Sequence, residues 1–454
     1  MPRGLTALLP IRPGEEEALR ATLEAIGSDI RGLRLAARPD DAHIDFPRSR
    51  LIHFARLALL DDPDRGPGRQ RLLFSSNHDG DLSDHLRELA SLTSDMDAIW
   101  GRCEGYRGPG RFEELVRAHS VSPQAFYIAF RDETLETIHR ALDVRRRFET
   151  ILDRPDAADF LARPEEATGP SAWPDLHDAL LASSGGLPRP FVAVRRALAI
   201  VADAVALLWS HGLGDLMRGI RQITASLGRF PAAALFNRLT GNVMRPLRST
   251  FSTVAVEACG PCAPQAAGDF IPSVNTQGTP RFDEEDAVSQ NQLTLVTSIG
   301  PGGRAKVEAV LALIDGYARR LAPPGSLAGI STIHFVRWLV IDEGRRLMLV
   351  SDYDGSWEAY IDEFAEMILS GLDAIWGTAL GYPPEGARDL AAFKRFLRCH
   401  QAPAAVFYSA YPTATVLSLQ ADQALARAVA EGLREGRTRE WLAWAPGLRL
   451  GQRP

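Results

Sequence analysis

Lysine is almost missing from this chain. Of 51 basic residues in 454, only Lys306 and Lys394 are lysines and the rest are arginines, a bias that fits a GC-rich genome better than a functional demand. Against 57 acids the net charge is −6, so no basic field is available to attract nucleic acid. Four cysteines are too few for a disulfide framework in a chain of this length. No run of eighteen apolar residues occurs, which removes a clean membrane span. The nearest approach, LAIVADAVALLW from Leu198 to Trp209, carries Asp203. The opening MPRGLTALLPIRPGEEEAL is broken by Pro10 and runs into acids, so it lacks a secretory pattern and a cytoplasmic location is the default expectation. No Walker loop, GxGxxG, GxSxG or HExxH appears. That argues against nucleotide-driven, dinucleotide-dependent and standard hydrolase chemistry.

What the chain does have is a second copy of itself. RLLFSSNHDGDLSDHL, from Arg71, returns as RLMLVSDYDGSWEAYI, from Arg346. LIHFARLALLDD (Leu51–Asp62) matches TIHFVRWLVIDE (Thr332–Glu343), and DMDAIWGRCEGY matches GLDAIWGTALGY. FEELVRAHSVSPQAFYIAF matches FKRFLRCHQAPAAVFYSAY, and LTALLPIRPGEEEALRATLEAI matches LTLVTSIGPGGRAKVEAVLALI. Five blocks in the same order indicate duplication. The length accommodates two or three domain-sized units. We divide it into a first repeat over 1–150, a connector with a helical insertion over 151–290, and a second repeat with a C-terminal tail over 291–454.

One unit reads as follows. LTLVTSI is a β-branched run stopped by Gly-Pro-Gly. RAKVEAVLALIDGYARRLA spaces Val307, Val310, Leu311 and Ile314 as on one helix face. HFVRWLVIDEGRRLMLVSD is two strands about a tight turn at Asp342-Glu343-Gly344. SWEAYIDEFAEMILSGLDAIW is an amphipathic helix, LAAFKRFLRCH a second, and VFYSAY a final strand. The order β-α-β-β-α-(α)-β is the ferredoxin-like split unit. The fold class is therefore α+β, with two ferredoxin-like βαββαβ repeats. Each sheet has one face under helices and one bare apolar face, which a twin in the same chain would cover.

Paired units of this kind resemble the dimeric α/β-barrel superfamily, which includes chlorite dismutases and dye-decolourising peroxidases. The HFxRW, SNxDG and VFYSAYP stretches also resemble a group of bacterial proteins of no assigned function with the same two-fold pattern. The likeness covers roughly 5–140 and 290–430, and its tie to the haem enzymes is one of fold. It implies a pseudo-dimeric barrel enclosing a hydrophobic small molecule, with haem as the cofactor such a barrel admits and peroxidase-like oxidoreductase chemistry. In those peroxidases a distal Asp and Arg attend haem-bound peroxide, and a His holds the iron. Their GxxDG signature reads SNHDG and SDYDG here, keeping Asp79 and Asp354 but not the first glycine. On that likeness Arg56, Asp79, Arg337 and Asp354 are the catalytic candidates. The matched histidines His119, His400, His53 and His334 are the cofactor-binding candidates, and no metal set is expected beyond them.

The same residues have a plainer reading. Features kept in both copies of a duplication are more often devices of the fold. Asp79-Gly80 and Asp354-Gly355 stand where a strand ends, so the Asp would cap the helix that follows and the Gly would take positive φ. Arg56 would share a strand face with Ile52 and Phe54 and pair with Asp79 inside its own repeat. His119 and His400 end helices and would cap them. Where the copies differ, one has diverged: His78 faces Tyr353, Asn77 faces Asp352, and Glu104 faces Leu380. His78 beside Asp79 is a further catalytic candidate, as a general base.

The middle holds two more features. FVAVRRALAIVADAVALLW and the segments after it, 188–250, read as helices with arginines between apolar stripes. They suit a packed subdomain or a peripheral contact with a membrane. ACGPCAP carries Cys259 and Cys262 in a thioredoxin-like spacing, but APQAAGDFIPS does not read as the helix that motif needs. Two function classes stand: an enzyme using a barrel cavity, and a non-catalytic protein that docks on a membrane or partner through 188–250.

Overall fold

A computed structural model describes residues 1–34, 43–152 and 289–434. The insertion expected within 151–290, with 188–250, Cys259 and Cys262, and the C-terminal tail lie outside the described residues. The first half runs β1 (Pro2–Pro10), α1 (Glu16–Arg34), β2 (Ile52–Asp61), β3 (Gln70–Asp79), α2 (Leu82–Leu92), α3 (Met96–Ile99), α4 (Phe112–Ala118), β4 (Ala125–Ile128) and α5 (Leu135–Leu152). The second half runs β5 (Gln290–Ser298), α6 (Arg304–Arg320), β6 (Ile333–Ile341), β7 (Arg346–Asp354), α7 (Trp357–Trp376), α8 (Leu390–Cys399), β8 (Ala404–Ser409) and α9 (Val416–Arg434). Among the described residues the fold is α+β with two four-stranded antiparallel sheets.

The order of strands within the sheets departs from two self-contained repeats. The first sheet is β1-β3-β2-β8 and the second β4-β6-β7-β5. Each half thus gives its last strand to the other half's sheet. Phe54 to Ala58 of β2 pair with Ser409 to Ala404 of β8, and Ala125 to Ile128 of β4 pair with Trp338 to Phe335 of β6. The residues just before each exchanged strand stay at home. The Leu8 N–H donates to His119 O at 3.0 Å and the Val121 N–H to Thr6 O at 2.8 Å. At the matching place the Val296 N–H donates to His400 O at 3.0 Å and the Ala402 N–H to Thr294 O at 2.8 Å. The chain therefore leaves one sheet's outer strand and joins the other sheet, linking the two sheets through the backbone at both margins. Otherwise open edges are satisfied in this way.

The two faces of the first sheet divide the core. Ala55, Leu57, Leu72 and Phe74 pack under α1 and α2 with Leu19, Leu23 and Leu86, joined by Val406 and Tyr408 of the exchanged β8. On the opposite face Leu8, Leu60 and Leu73 meet Val296, Leu339, Ile341 and Met348 of the second sheet. Each such side chain contributes about 1.5–3 kcal/mol by leaving water. The expected tight turn is present: Asp342, Glu343 and Gly344 take φ of 53°, 55° and 95°. Gly80 and Gly355, at φ 74° and 81°, make the positive-φ exit from β3 and β7 as expected.

The capping expectation is corrected. Asp81, not Asp79, caps α2, accepting from the Asp84 N–H at 2.9 Å, and Ser356 rather than Asp354 caps α7. The strand-face expectation is corrected too. The β2–β3 register shifts between Ile52 and Phe54, so His53 is the extra residue of a bulge. Ile52 falls on the helix side with Ala55 and Leu57, opposite Phe54 and Arg56.

Candidate functional site between the two sheets

Arg56 does not pair with Asp79 inside its repeat. Its guanidinium crosses to the second half. Nη1 donates to Leu293 O at 3.0 Å, to Thr294 Oγ1 at 3.0 Å and to Gln292 Oε1 at 3.2 Å. Nη2 donates to Ser351 O at 2.7 Å and forms a salt bridge with Asp352. Arg337 makes the mirror set in the first half: Leu5 O at 2.7 Å, Thr6 Oγ1 at 3.3 Å, Ser76 O at 3.1 Å, and the Asn77 side-chain oxygen. Asn77 Nδ2 then donates to Asp352 Oδ2 at 2.6 Å. The result is one chain of bonds, Arg337 to Asn77 to Asp352, with Arg56 closing on the far oxygen. All four residues are 2% exposed or less. Asp352 pairs with Arg56 directly and is linked to Arg337 through Asn77. Burial pulls the Arg337 guanidinium down to about 9, opposed by Asp352 and reinforced by Arg56. Its Nε has no hydrogen-bond partner.

Asp79 and Asp354 have another task. Bulges at His53 and His334, on β2 and β6, turn both imidazoles toward them. His53 Nε2 lies 3.1 Å from Asp79 Oδ2, and His334 Nε2 lies 2.7 Å from Asp354 Oδ1. The same carboxylates accept the N–H of Leu135 at the start of α5 and of Val416 at the start of α9, each at 2.6 Å. Each Asp therefore fixes the helix that follows the exchanged strand, where it also meets the positive end of the helix dipole. Burial alone would raise the Asp79 carboxyl, but the hydrogen bond and charge of His53 and the Leu135 N–H outweigh it and hold it below the usual carboxylate range. The copies differ at the outer imidazole face. His53 Nδ1 lies 3.2 Å from the Tyr411 hydroxyl. Phe130 occupies the matching place in the other copy and has no hydroxyl to offer His334.

His119 and His400 close helices, as the plainer reading expects. Each is the residue after the last turn, of α4 and α8. Nδ1 bonds the carbonyl four residues back, Leu115 O at 2.9 Å and Phe396 O at 2.7 Å. Burial lowers the His400 pKa, opposed by its hydrogen bond to the Phe396 carbonyl.

His78 faces neither an open site nor the Asp79 carboxylate. Its ring stacks on His85 of α2 with centroids 4.0 Å apart and planes 5° from parallel, and its Nδ1 lies 3.1 Å from Asp79 O. Burial lowers its pKa to about 4 and depresses His85 as well. The second half stacks Tyr353 on Tyr360 of α7 at 3.8 Å and 8°. In both, a serine two residues earlier holds the helix ring: Ser76 Oγ to His85 Nε2 at 2.8 Å, and Ser351 Oγ to Tyr360 Oη at 2.6 Å.

The structure thus gathers Arg56 and Arg337 in one network, pairs His53 with Asp79 and His334 with Asp354, and leaves His119, His400 and His78 in separate places. Sequence reasoning passed over Tyr411, Thr6, Thr294 and His85. The offset that pairs His78 with Tyr353 pairs His85 with Tyr360, so that stack was open to discovery. A porphyrin does not fit these residues. Side chains of the arginine network and the aliphatic layer occupy the space between the sheets, and His53 and His334 are fully buried on their carboxylates. Among the described residues no group of three or more His, Cys, Asp or Glu could hold a metal ion. A cleft of about 430 Å³ lined by Arg12, Glu15, Asp97, Gly101, Arg102 and Tyr106 uses none of the predicted site residues. Compared with family models, curated proteins and solved structures, the chain matches none of them.

Proposed function

We propose that this chain is a non-catalytic docking protein built on a duplicated barrel of the dimeric α/β type, with two ferredoxin-like repeats whose last strands are exchanged. The observation that carries this reading is the filled space between the sheets. Arg56, Arg337, Asn77 and Asp352 spend their polar groups on one another and on backbone carbonyls, and Leu8, Leu60, Leu339 and Met348 fill the rest. An enzyme of the resembling fold needs room there for its ligand. Binding then falls to 188–250, where Arg195 and Arg196 stand among apolar residues in a pattern suited to a headgroup layer. Among the described residues no helix is long and apolar enough to cross a membrane, so the contact would be peripheral.

Flotation of the full chain with vesicles containing anionic lipid tests this, against a variant lacking 188–250. The full chain is expected to float and the deletion variant to stay at the bottom, with no visible absorption in either. A Soret band at about 400 nm in the isolated protein would overturn the docking reading in favour of a haem-dependent oxidoreductase. A full chain that fails to float would remove the membrane as the docked surface.

A further inference from the structure

The faces that meet between the two sheets are nearly copies, yet they are not interchangeable. Leu5 O, Thr6 and Ser76 O around Arg337 repeat as Leu293 O, Thr294 and Ser351 O around Arg56. At the centre the copies place Asn77 on one side and Asp352 on the other, and beside each guanidinium they place Gly4 against Gln292. The bond between Asn77 and Asp352 needs their difference. Asn77 accepts from Arg337 through Oδ1, which leaves Nδ2 as a donor aimed at the second half. Asp352 takes Arg56 on Oδ1 and has Oδ2 left as an acceptor. Donor meets acceptor only when unlike halves face each other.

We propose that Asn77 and Asp352 are a pairing code, by which the inner face of the first half accepts the inner face of the second half and rejects a copy of itself. Two first halves would bring amide against amide, donor to donor, with two buried guanidiniums and no carboxylate between them. Two second halves would bring carboxylate against carboxylate, acceptor to acceptor, with two guanidiniums beside them and no donor between. Like charges or unpaired cations at such a buried contact disfavour the wrong pairing. The code matters here because the exchanged strands β4 and β8 already tie each sheet to the opposite half. A chain whose halves paired like with like, across two molecules, would carry mismatched centres in both assemblies.

Both mismatches can be built inside the intact chain. Asp352→Asn creates the amide–amide centre of two first halves, and Asn77→Asp creates the carboxylate–carboxylate centre of two second halves. The double variant Asn77→Asp/Asp352→Asn restores one of each with the polarity reversed. Thermal unfolding of the full chain at pH 7 is the measurement. Asp352→Asn is expected to lower the midpoint by about 10 °C, as loss of a buried carboxylate between guanidiniums does in a protein of this size. Asn77→Asp should lower it by about 5 °C, because its charges balance although its acceptors oppose. The double variant should return to within about 3 °C of the parent, a non-additivity that residues in direct contact show. A variant that does not accumulate folded counts as lowered. A double variant no better than Asp352→Asn, or Asn77→Asp as stable as the parent, would overturn the code.

Discussion

The two halves solve one problem with different chemistry. Beneath the first helix after the hairpin, the first half stacks His78 on His85 and the second stacks Tyr353 on Tyr360, with near-equal separation and tilt. The geometry belongs to the fold and the ring type to each copy. An imidazole pair brings a proton equilibrium into the core where a phenol pair does not. The arginines show the same contrast. Arg56 finds a carboxylate and the Gln292 amide, whereas Arg337 finds an amide and, at the place matching Gln292, Gly4. A Cβ at Gly4 would stand 2.6 Å from Arg337 Nη1 and 2.9 Å from the Phe126 ring, so both side chains lie against bare backbone there. The lesson is that matched positions of the two halves keep their geometry while the polar groups that fill them diverge.

The sharpest way to break the comparison is to remove each arginine. Arg56→Met strips Asp352 of its direct cation and should cost about 3–5 kcal/mol. Arg337→Met removes the guanidinium that has no direct carboxylate, and leaves unpaired acceptors worth about 1–3 kcal/mol. Urea unfolding measures both, and equal losses would mean that the carboxylate is not assigned to one side.

Acid should then separate the halves. Burial lowers the pKa of His78 in the folded state, so the unfolded chain binds the proton more readily. That contribution is fully present above about pH 6.5 and is lost as pH falls toward about 4, amounting to about 3 kcal/mol for His78. The tyrosine stack has no counterpart in this range. The urea midpoint should fall over this window while the ring protons of His78 titrate at its lower end, and a midpoint flat from pH 6.5 to 5 would contradict the buried neutral pair.

The smallest effect sharpens the histidine comparison. Tyr411→Phe gives the second copy the residue that the first already has at Phe130, and removes one hydrogen bond from His53 Nδ1. A loss of about 1 kcal/mol is expected. A much larger loss would show that the hydroxyl holds more than His53.

Some of this was legible and some was not, for physical reasons. The strands of HFVRWLVIDEGRRLMLVSD and the helix of SWEAYIDEFAEMILSGLDAIW follow from local alternation and helical spacing, and both appear where the pattern puts them. The helix-ending role of His119 and His400 is likewise local, since each bonds a carbonyl only four residues away. The bulges at His53 and His334 insert a residue without any local marker, so the face shared by Ile52 and Arg56 was misread. Helix α5 goes unread although Leu135, Ile138, Ala141, Val144 and Phe148 recur at helical spacing, because it follows the strand that closes the expected unit. Asp79 and Arg56 lie in one hairpin and would pair on that ground, yet Asp79 takes His53 of the hairpin and the start of helix α5, and Arg56 takes the other half.

The order of residues alone determined the repeated blocks, the α+β class and most elements of each unit, because strand and helix periodicity are properties of neighbours. Only the tertiary structure decided that the last strands change places, that Arg56 answers to Asp352 rather than Asp79, and that Asp79 and Asp354 anchor distant helices. Those choices join residues far apart in the chain. A hydrogen bond made across such a distance leaves no trace in the spacing of either partner.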